Sequence, residues 1–310
     1  MIKFAFFWLN QRLFNEILTM MAEDWNDCTK SDIEMHEAIN KAKTSNHIAN
    51  AIMTLHTVVV LFYGIGIVLG NVDVTDRTIE LPHIYKVIVP FNINTQYTYK
   101  ILLIVELIHL ITCSWGLGIL NALLLILILH AGGQINILRY WLAELMSKEN
   151  KHISIVTMMK KIIRKHQKII YFTKNVESLY TFIAFLQFIS NIMMICIIGF
   201  LIITALGNPN ATEKIMRAIS YYSVTNIEAF IFCYAGEYLI NKSKSIGLAA
   251  YNSAWYELEP EYNRILLFIV LRAQKQLTLT VGKMTDLSLQ CFASIMNSAG
   301  SYLSVLLAMQ

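Results

Sequence analysis

The sequence predicts an all-α, polytopic membrane protein. It would have five full transmembrane helices, the inner end of a sixth, an external C-terminus and a cytoplasmic helical bundle. Three observations predict it. Of 310 residues, 56% are hydrophobic and only 15% charged, with a mean hydropathy of +0.51; a soluble domain of this size carries about 25% charge. Five stretches reach the roughly 20 apolar residues that a helix needs to cross hydrocarbon. Lys and Arg are also strongly biased between alternate loops. The aromatic content of 11% excludes disorder, and four prolines and 13 glycines exclude collagen-like chains. A net charge of +4 makes no case for nucleic acid as a partner.

The N-terminal run Phe4–Leu9 is apolar but too short to cross, and Lys3 and Asn10 bracket it. No small-residue cleavage site follows, so it is not a signal peptide. It reads as the inner end of a span whose start is absent, which implies a fragment or an incomplete gene product. The five full spans run approximately His47–Gly70, Ile101–His130, Tyr180–Leu206, Ala218–Ile240 and Met284–Met309, within one domain of residues 1–310. Each should close its own hydrogen bonds as a helix, because an unpaired N–H or C=O in hydrocarbon costs several kcal/mol. Pro82, Pro90, Pro209 and Pro260 all fall between the spans, where a missing donor does little harm.

Residues 1–46, 131–179 and 241–283 hold five, nine and six Lys and Arg, against three in 71–100 and two in 207–217. The rich segments stay cytoplasmic, so five crossings put the C-terminus outside. The sequon Asn210-Ala211-Thr212 lies in an outer loop, where glycosylation is allowed; an unmodified Asn fits equally in so short a loop.

Between the second and third full spans, Ile155, Met158, Met159, Ile162, Ile163, Ile169 and Ile170 mark an apolar side of a helix. Lys160, Lys161, Arg164, Lys165 and Lys168 form a basic side. Such a helix either lies on an anionic membrane surface or continues the next span inward and packs on its neighbours. In 241–283, Tyr251, Trp255 and Leu258 repeat at helical spacing, Pro260 stops or starts an element, and Ile265 to Leu279 follows with Arg264, Arg272 and Lys275. Two such elements would form a sizeable intracellular bundle.

The final span carries its polar residues on one line, Gln290, Ser294, Asn297, Ser301 and Ser304, at steps of four and three. A neighbouring line runs Ser298, Ser301, Val305 and Ala308. A stripe of this kind either lines a water-filled path or lets another helix approach closely. If it lines a path, Val305 and Met309 could form a dewetting constriction.

Several stretches resemble insect odorant receptors: Glu23-Asp24-Trp25, Tyr251-Asn252-Ser253-Ala254-Trp255, Arg272-Ala273-Gln274-Lys275, Phe292-Ala293-Ser294-Ile295-Met296 and Ser301-Tyr302-Leu303. The resemblance covers nearly the whole chain. It implies seven spans with the N-terminus inside and the C-terminus outside, of which this sequence lacks the first and most of the second. It further implies a nonselective cation channel gated by a small volatile odorant, in the plasma membrane of olfactory sensory neurons. An odour-specific subunit and a shared coreceptor would form a heterotetramer around one pore lined by the last helix. By position, Val305 and Met309 match the gate, Ser301 lies on the pore side, and Ala308 stands where Gln is frequent. The related gustatory receptors end in a pattern from which Ser301-Tyr302 followed by Ala308-Met309 departs.

Ligand pockets of the family lie in the outer half. That points to Tyr63, Gly64 and Ile67 on the first full span, Glu106, His109 and Trp115 on the next, and Tyr221, Tyr222 and Asn226 on the fourth. Glu106 and His109, one turn apart in an apolar run, either contact ligand or satisfy each other. Glu228 and Glu237 approach the inner surface.

Other classes fit less well. A secondary transporter should show repeats or broken helices. A membrane enzyme should show a motif such as H-E-x-x-H or G-x-S-x-G, and none appears. A G-protein-coupled receptor should end inside. His130, His152 and His166 have no ligand spacing, and Cys28, Cys113, Cys196, Cys233 and Cys291 form no C-x-x-C pair, so neither a metal nor another cofactor is expected.

Overall fold

The computed structural model describes residues 2–69, 95–145, 152–205, 211–253 and 255–308. Among the described residues eight α-helices dominate: α1 (Ile2–Leu9), α2 (Gln11–Cys28), α3 (Asp32–Leu69), α4 (Gln96–Glu144), α5 (His152–Ala205), α6 (Ala211–Asn252), α7 (Pro260–Gln274) and α8 (Leu289–Ala308). A 3₁₀ turn spans Trp255–Glu257, and strands β1 (Thr280–Val281) and β2 (Thr285–Asp286) form an antiparallel hairpin.

Helices α3 to α6 run far beyond the expected spans. Between His152 and Ala205 there is no proline, and α5 is accordingly continuous for 54 residues. Helix α4 passes unbroken through Gly132 and Gly133, positions that weaken an isolated helix. Here their bareness is used. A Cβ on Gly132 would come 2.5 Å from the Tyr238 hydroxyl, and one on Gly133 would come 3.1 Å from Lys41 Cγ. Among the described residues, three helices are long and apolar enough to cross a membrane by length and composition: Asp32–Phe62, Gln96–Glu144 and Ile155–Leu201.

The core sits where the C-terminal half of α4 meets α2, α5 and α6. Leu124, Leu127, Ile135, Leu138 and Leu142 of α4 are fully buried with Ile17, Ile162, Val176 and Leu239. Met159, Ile162 and Ile169 of the basic segment belong to this core, so the segment is part of α5 and packs on its neighbours. By contrast, the start of α4 exposes Ile101, Ile104, Val105 and Ile108, an apolar surface suited to lipid or a partner.

The last helix starts at Leu289 and not at Met284, because residues 280–286 form the hairpin. Its turn has positive φ at both central residues, +56° at Gly282 and +61° at Lys283, and Met284 N donates to Val281 O at 2.9 Å. Two positive φ values suit a tight hairpin between twisted strands. Pro260 occupies the first turn of α7, where its missing donor is harmless, with Glu261 beside it.

Candidate functional site

A cavity of about 170 Å³ opens between α3, α4 and α6. Its wall is apolar at Val59, Val60, Leu110, Leu117 and Val224, and polar at His56, Ser114, Thr225 and Glu228. His56, Ser114 and Glu228 belong to a network crossing five helices. His56 Nδ1 lies 3.0 Å from Ser114 Oγ, and His56 Nε2 lies 3.8 Å from Glu228 Oε1. Gln187 Nε2 donates to Glu228 Oε2 at 2.8 Å, and Lys3 Nζ donates to Gln187 Oε1. Glu228 and His56 are 6% and 3% exposed, so both are shielded from bulk water and their polar partners are required. One turn along α5, Asn191 is fully buried and neither of its amide atoms is hydrogen-bonded.

The nine residues expected to touch ligand lie on the same three helices, but among the described residues the cavity is lined by other positions of those helices and by none of the nine. Glu106 is buried and His109 exposed, so the two leave α4 on different sides. His109 Nε2 lies 3.7 Å from Sγ of Cys113, which lines the cavity. Trp115 Nε1 donates to Thr57 Oγ1 at 3.0 Å and staples α4 to α3. Gly64 packs against the Leu107 side chain. Asn226 Nδ2 donates to the Tyr222 carbonyl at 2.8 Å within α6. Tyr63, Ile67, Tyr221 and Ala308 sit within helices, but their side chains lie outside the described residues, as do Asn210 and Met309. Glu228, expected to approach the inner surface, is buried in the bundle with its carboxylate against His56 and Gln187. An ionisable residue inside an apolar run was the available signal, as it was for Glu106.

A second polar cluster ties α2 to α4 and α5. Asp24 of α2 receives His130 Nε2 at 3.1 Å, Lys165 Nζ at 3.0 Å and Lys168 Nζ at 3.2 Å. Burial works to raise the Asp24 carboxyl, but the His130 hydrogen bond and the Lys165 ammonium outweigh it and hold it down at about 2. Nearby, Glu34 accepts from Trp141 Nε1 at 2.9 Å and from Lys161 Nζ at 3.0 Å. Lys161 also stands 3.7 Å over the Trp141 ring. Burial, and secondarily Arg272, pushes His166 of α5 down to about 4. Among the described residues, no group of three His, Cys, Asp or Glu could hold a metal ion.

Helix α8 buries Ile295 and Ala299 and leaves Gln290, Ser294, Asn297, Ser301 and Ser304 exposed. The hydroxyls of Ser298, Ser301 and Ser304 donate to carbonyls one turn back on α8 itself. Val305 is 58% exposed. The α8 N-terminus is fixed to α6: Glu237 Oε2 accepts from Leu289 N at 3.3 Å, and Ser288 Oγ accepts from Cys291 N at 3.1 Å.

Comparison with known proteins gives this architecture a family. A sequence model described as 7tm odorant receptor matches residues 1–300. Odorant receptor 10 of Aedes albopictus is 34% identical over 160 residues, covering 52% of this chain and 41% of that one. Putative odorant receptor 92a of Drosophila melanogaster is 21% identical over 301 residues, covering 93% and 72%. The matched stretch spans less than half the length of the Aedes relative. The solved structure of the insect olfactory receptor OR5 from Machilis hrabei shares the fold, with a TM-score of 0.76 at 17% identity over 100% of this chain and 78% of that one. The same receptor in complex with eugenol superposes with a TM-score of 0.75.

Proposed function

The chain belongs to the 7tm odorant receptor family, a family of multi-pass membrane receptors and not of enzymes, and on that premise we propose that it is the odorant-specific subunit of a nonselective cation channel. A small volatile odorant binds in the cavity between α3, α4 and α6, and a coreceptor completes a tetramer around the pore. The reading is supported above all by that cavity, an apolar chamber with a buried polar corner at His56, Ser114 and Glu228. Burying roughly 200 Å² of apolar ligand surface contributes about 5 kcal/mol, enough for sub-millimolar affinity. The polar corner then selects among ligands of similar size, because a buried group left unpaired by the wrong ligand costs about 1–3 kcal/mol.

The expected five crossings, the external C-terminus and the sensory-neuron plasma membrane belong to this proposal. Assembly is supported by what a single chain leaves uncovered. The inner helix α7 exposes Leu267, Phe268 and Leu271, beside exposed Tyr256, an apolar surface that calls for a protein partner. The polar stripe of α8 is likewise free to face a central path.

Recordings from cells expressing the full-length receptor with a coreceptor test this. An odorant panel should open a cation current that is absent without the receptor. Val224→Phe, which fills the cavity, should reduce sensitivity at least tenfold at unchanged surface expression. Silence across the panel despite surface expression would refute the reading. Val305→Ser should raise ligand-free leak current several-fold by wetting the constriction; unchanged leak would remove Val305 from the gate.

A further inference from the structure

The inner end carries a basic groove that the proposed function does not use. It measures about 470 Å³, within the range of small-ligand sites. Six cations line it, Lys30, Lys160, Lys161, Arg164, Lys165 and Lys168, against two carboxylates, Asp27 and Glu34. Some of the cations are held in place from behind. Lys165 is fixed by Asp24, Lys168 by Asp24 and Glu23, Lys161 by Glu34 and the Trp141 face, and Lys30 by Asp27. Each ammonium has three N–H donors, so one or two anchoring bonds leave at least one donor over for a ligand. Lys160 and Arg164 are exposed, and among the described residues no hydrogen bond or ion pair engages either of them. Five of the six cations lie on the first turns of α5, and Lys30 faces them across the groove from the α2–α3 junction, with Trp141 of α4 closing the wall.

We propose that this groove binds a multiply phosphorylated small anion, with Lys160 and Arg164 as its direct contacts and Lys161, Lys165 and Lys168 as a preorganised wall. Phosphate matches the donor set: Arg offers a planar fork, and the lysines offer point charges. The distance favours a soluble anion over a lipid headgroup. Lys160 lies 20 residues before Tyr180, where the third full span is expected to begin, which is about 30 Å of helix. Occupancy would tie α2, α4 and α5 together at the end remote from the odorant cavity.

The test is inositol trisphosphate binding to the full-length receptor in phosphatidylcholine nanodiscs, measured by calorimetry at 0.15 M salt. Saturable binding is expected, and Lys160→Gln with Arg164→Gln should weaken it at least tenfold, since a hydrogen bond to a charged group is worth about 1.5–3 kcal/mol. Lys174→Gln with Lys244→Gln, two exposed lysines outside the groove, should leave it unchanged. Lys30→Gln, on a different element, gives a second groove variant should the first misfold. Equal losses in groove and control pairs would reduce the effect to net charge and overturn the proposal, as would no binding. Nanodiscs containing phosphatidylinositol bisphosphate form the other arm. Binding confined to that lipid, with no competition by the soluble trisphosphate, would overturn the assignment to a soluble anion. None of these outcomes depends on odorant-gated current, so failure here leaves the proposed channel function standing.

Discussion

Asp24→Ala is expected to destabilise the fold by about 3–5 kcal/mol, because it strands the Lys165 ammonium, only 8% exposed, without its counter-charge. The measurement is the thermal unfolding midpoint of purified receptor in detergent. Lys165→Met in the same chain should restore most of the loss, since a buried ion pair replaced by apolar groups of similar size is often neutral. A double variant as unstable as Asp24→Ala alone would mean that Asp24 acts through His130 or Lys168 instead. The same residue gives an acid signature. Its carboxyl titrates at about 2 against an ordinary 3.8. The corresponding stability, ~2 kcal/mol, is present above pH 3.8 and lost as pH falls through 2. His166, held down at about 4 from 6.5, contributes in a higher window: fully above pH 6.5, and lost as pH falls toward 4. The midpoint of the natural protein should therefore begin to fall below pH 6.5, and His166→Gln should remove that first step.

Gly236→Val is the second large effect expected, and it concerns transmission more than stability. Gly236 of α6 is buried where the chain enters α8. An added Cβ would lie 2.2 Å from the Leu287 carbonyl oxygen and 2.9 Å from its carbon. Backbone cannot rotate away as a side chain can, so α6 and the segment leading into α8 must separate. Overpacking of this kind costs about 1–3 kcal/mol, and it falls beside the Glu237–Leu289 bond that anchors α8. Glu228 of the cavity stands eight residues earlier on the same helix, a little over two turns. Odorant-evoked current should fall at least tenfold at normal surface expression. Wild-type responses in Gly236→Val would show that α6 does not carry the signal to α8 at this contact.

How much of this was legible in the sequence depends on the range of the interactions involved. The helical class followed from composition and run length, since apolar stretches of this size have few alternatives. The continuity of α5 with the basic segment was also accessible, because Met159, Ile162 and Ile169 recur at helical spacing without a proline. Helix α4 was harder: Gly132-Gly133 resembles an ending until Tyr238 and Lys41 are seen to fill the space that they leave. The hairpin at 280–286 escaped because a two-residue strand has no periodicity, and its turn, Gly282-Lys283, carries only one glycine. The cavity wall was the least legible part. Its polar corner joins residues far apart in the chain, such as His56 to Ser114 and Gln187 to Glu228. Residue type could mark Glu228 as unusual, but only packing decides that it meets Gln187 and His56.

The length of α5 has a mechanical consequence. Fifty-four residues of unbroken helix make a rod about 80 Å long. If it pivots near one end, a rotation of one degree sweeps the far tip through about 1.4 Å. A lever of that reach would turn an adjustment too small to disturb local packing at one end into a shift at the other comparable to a bond length.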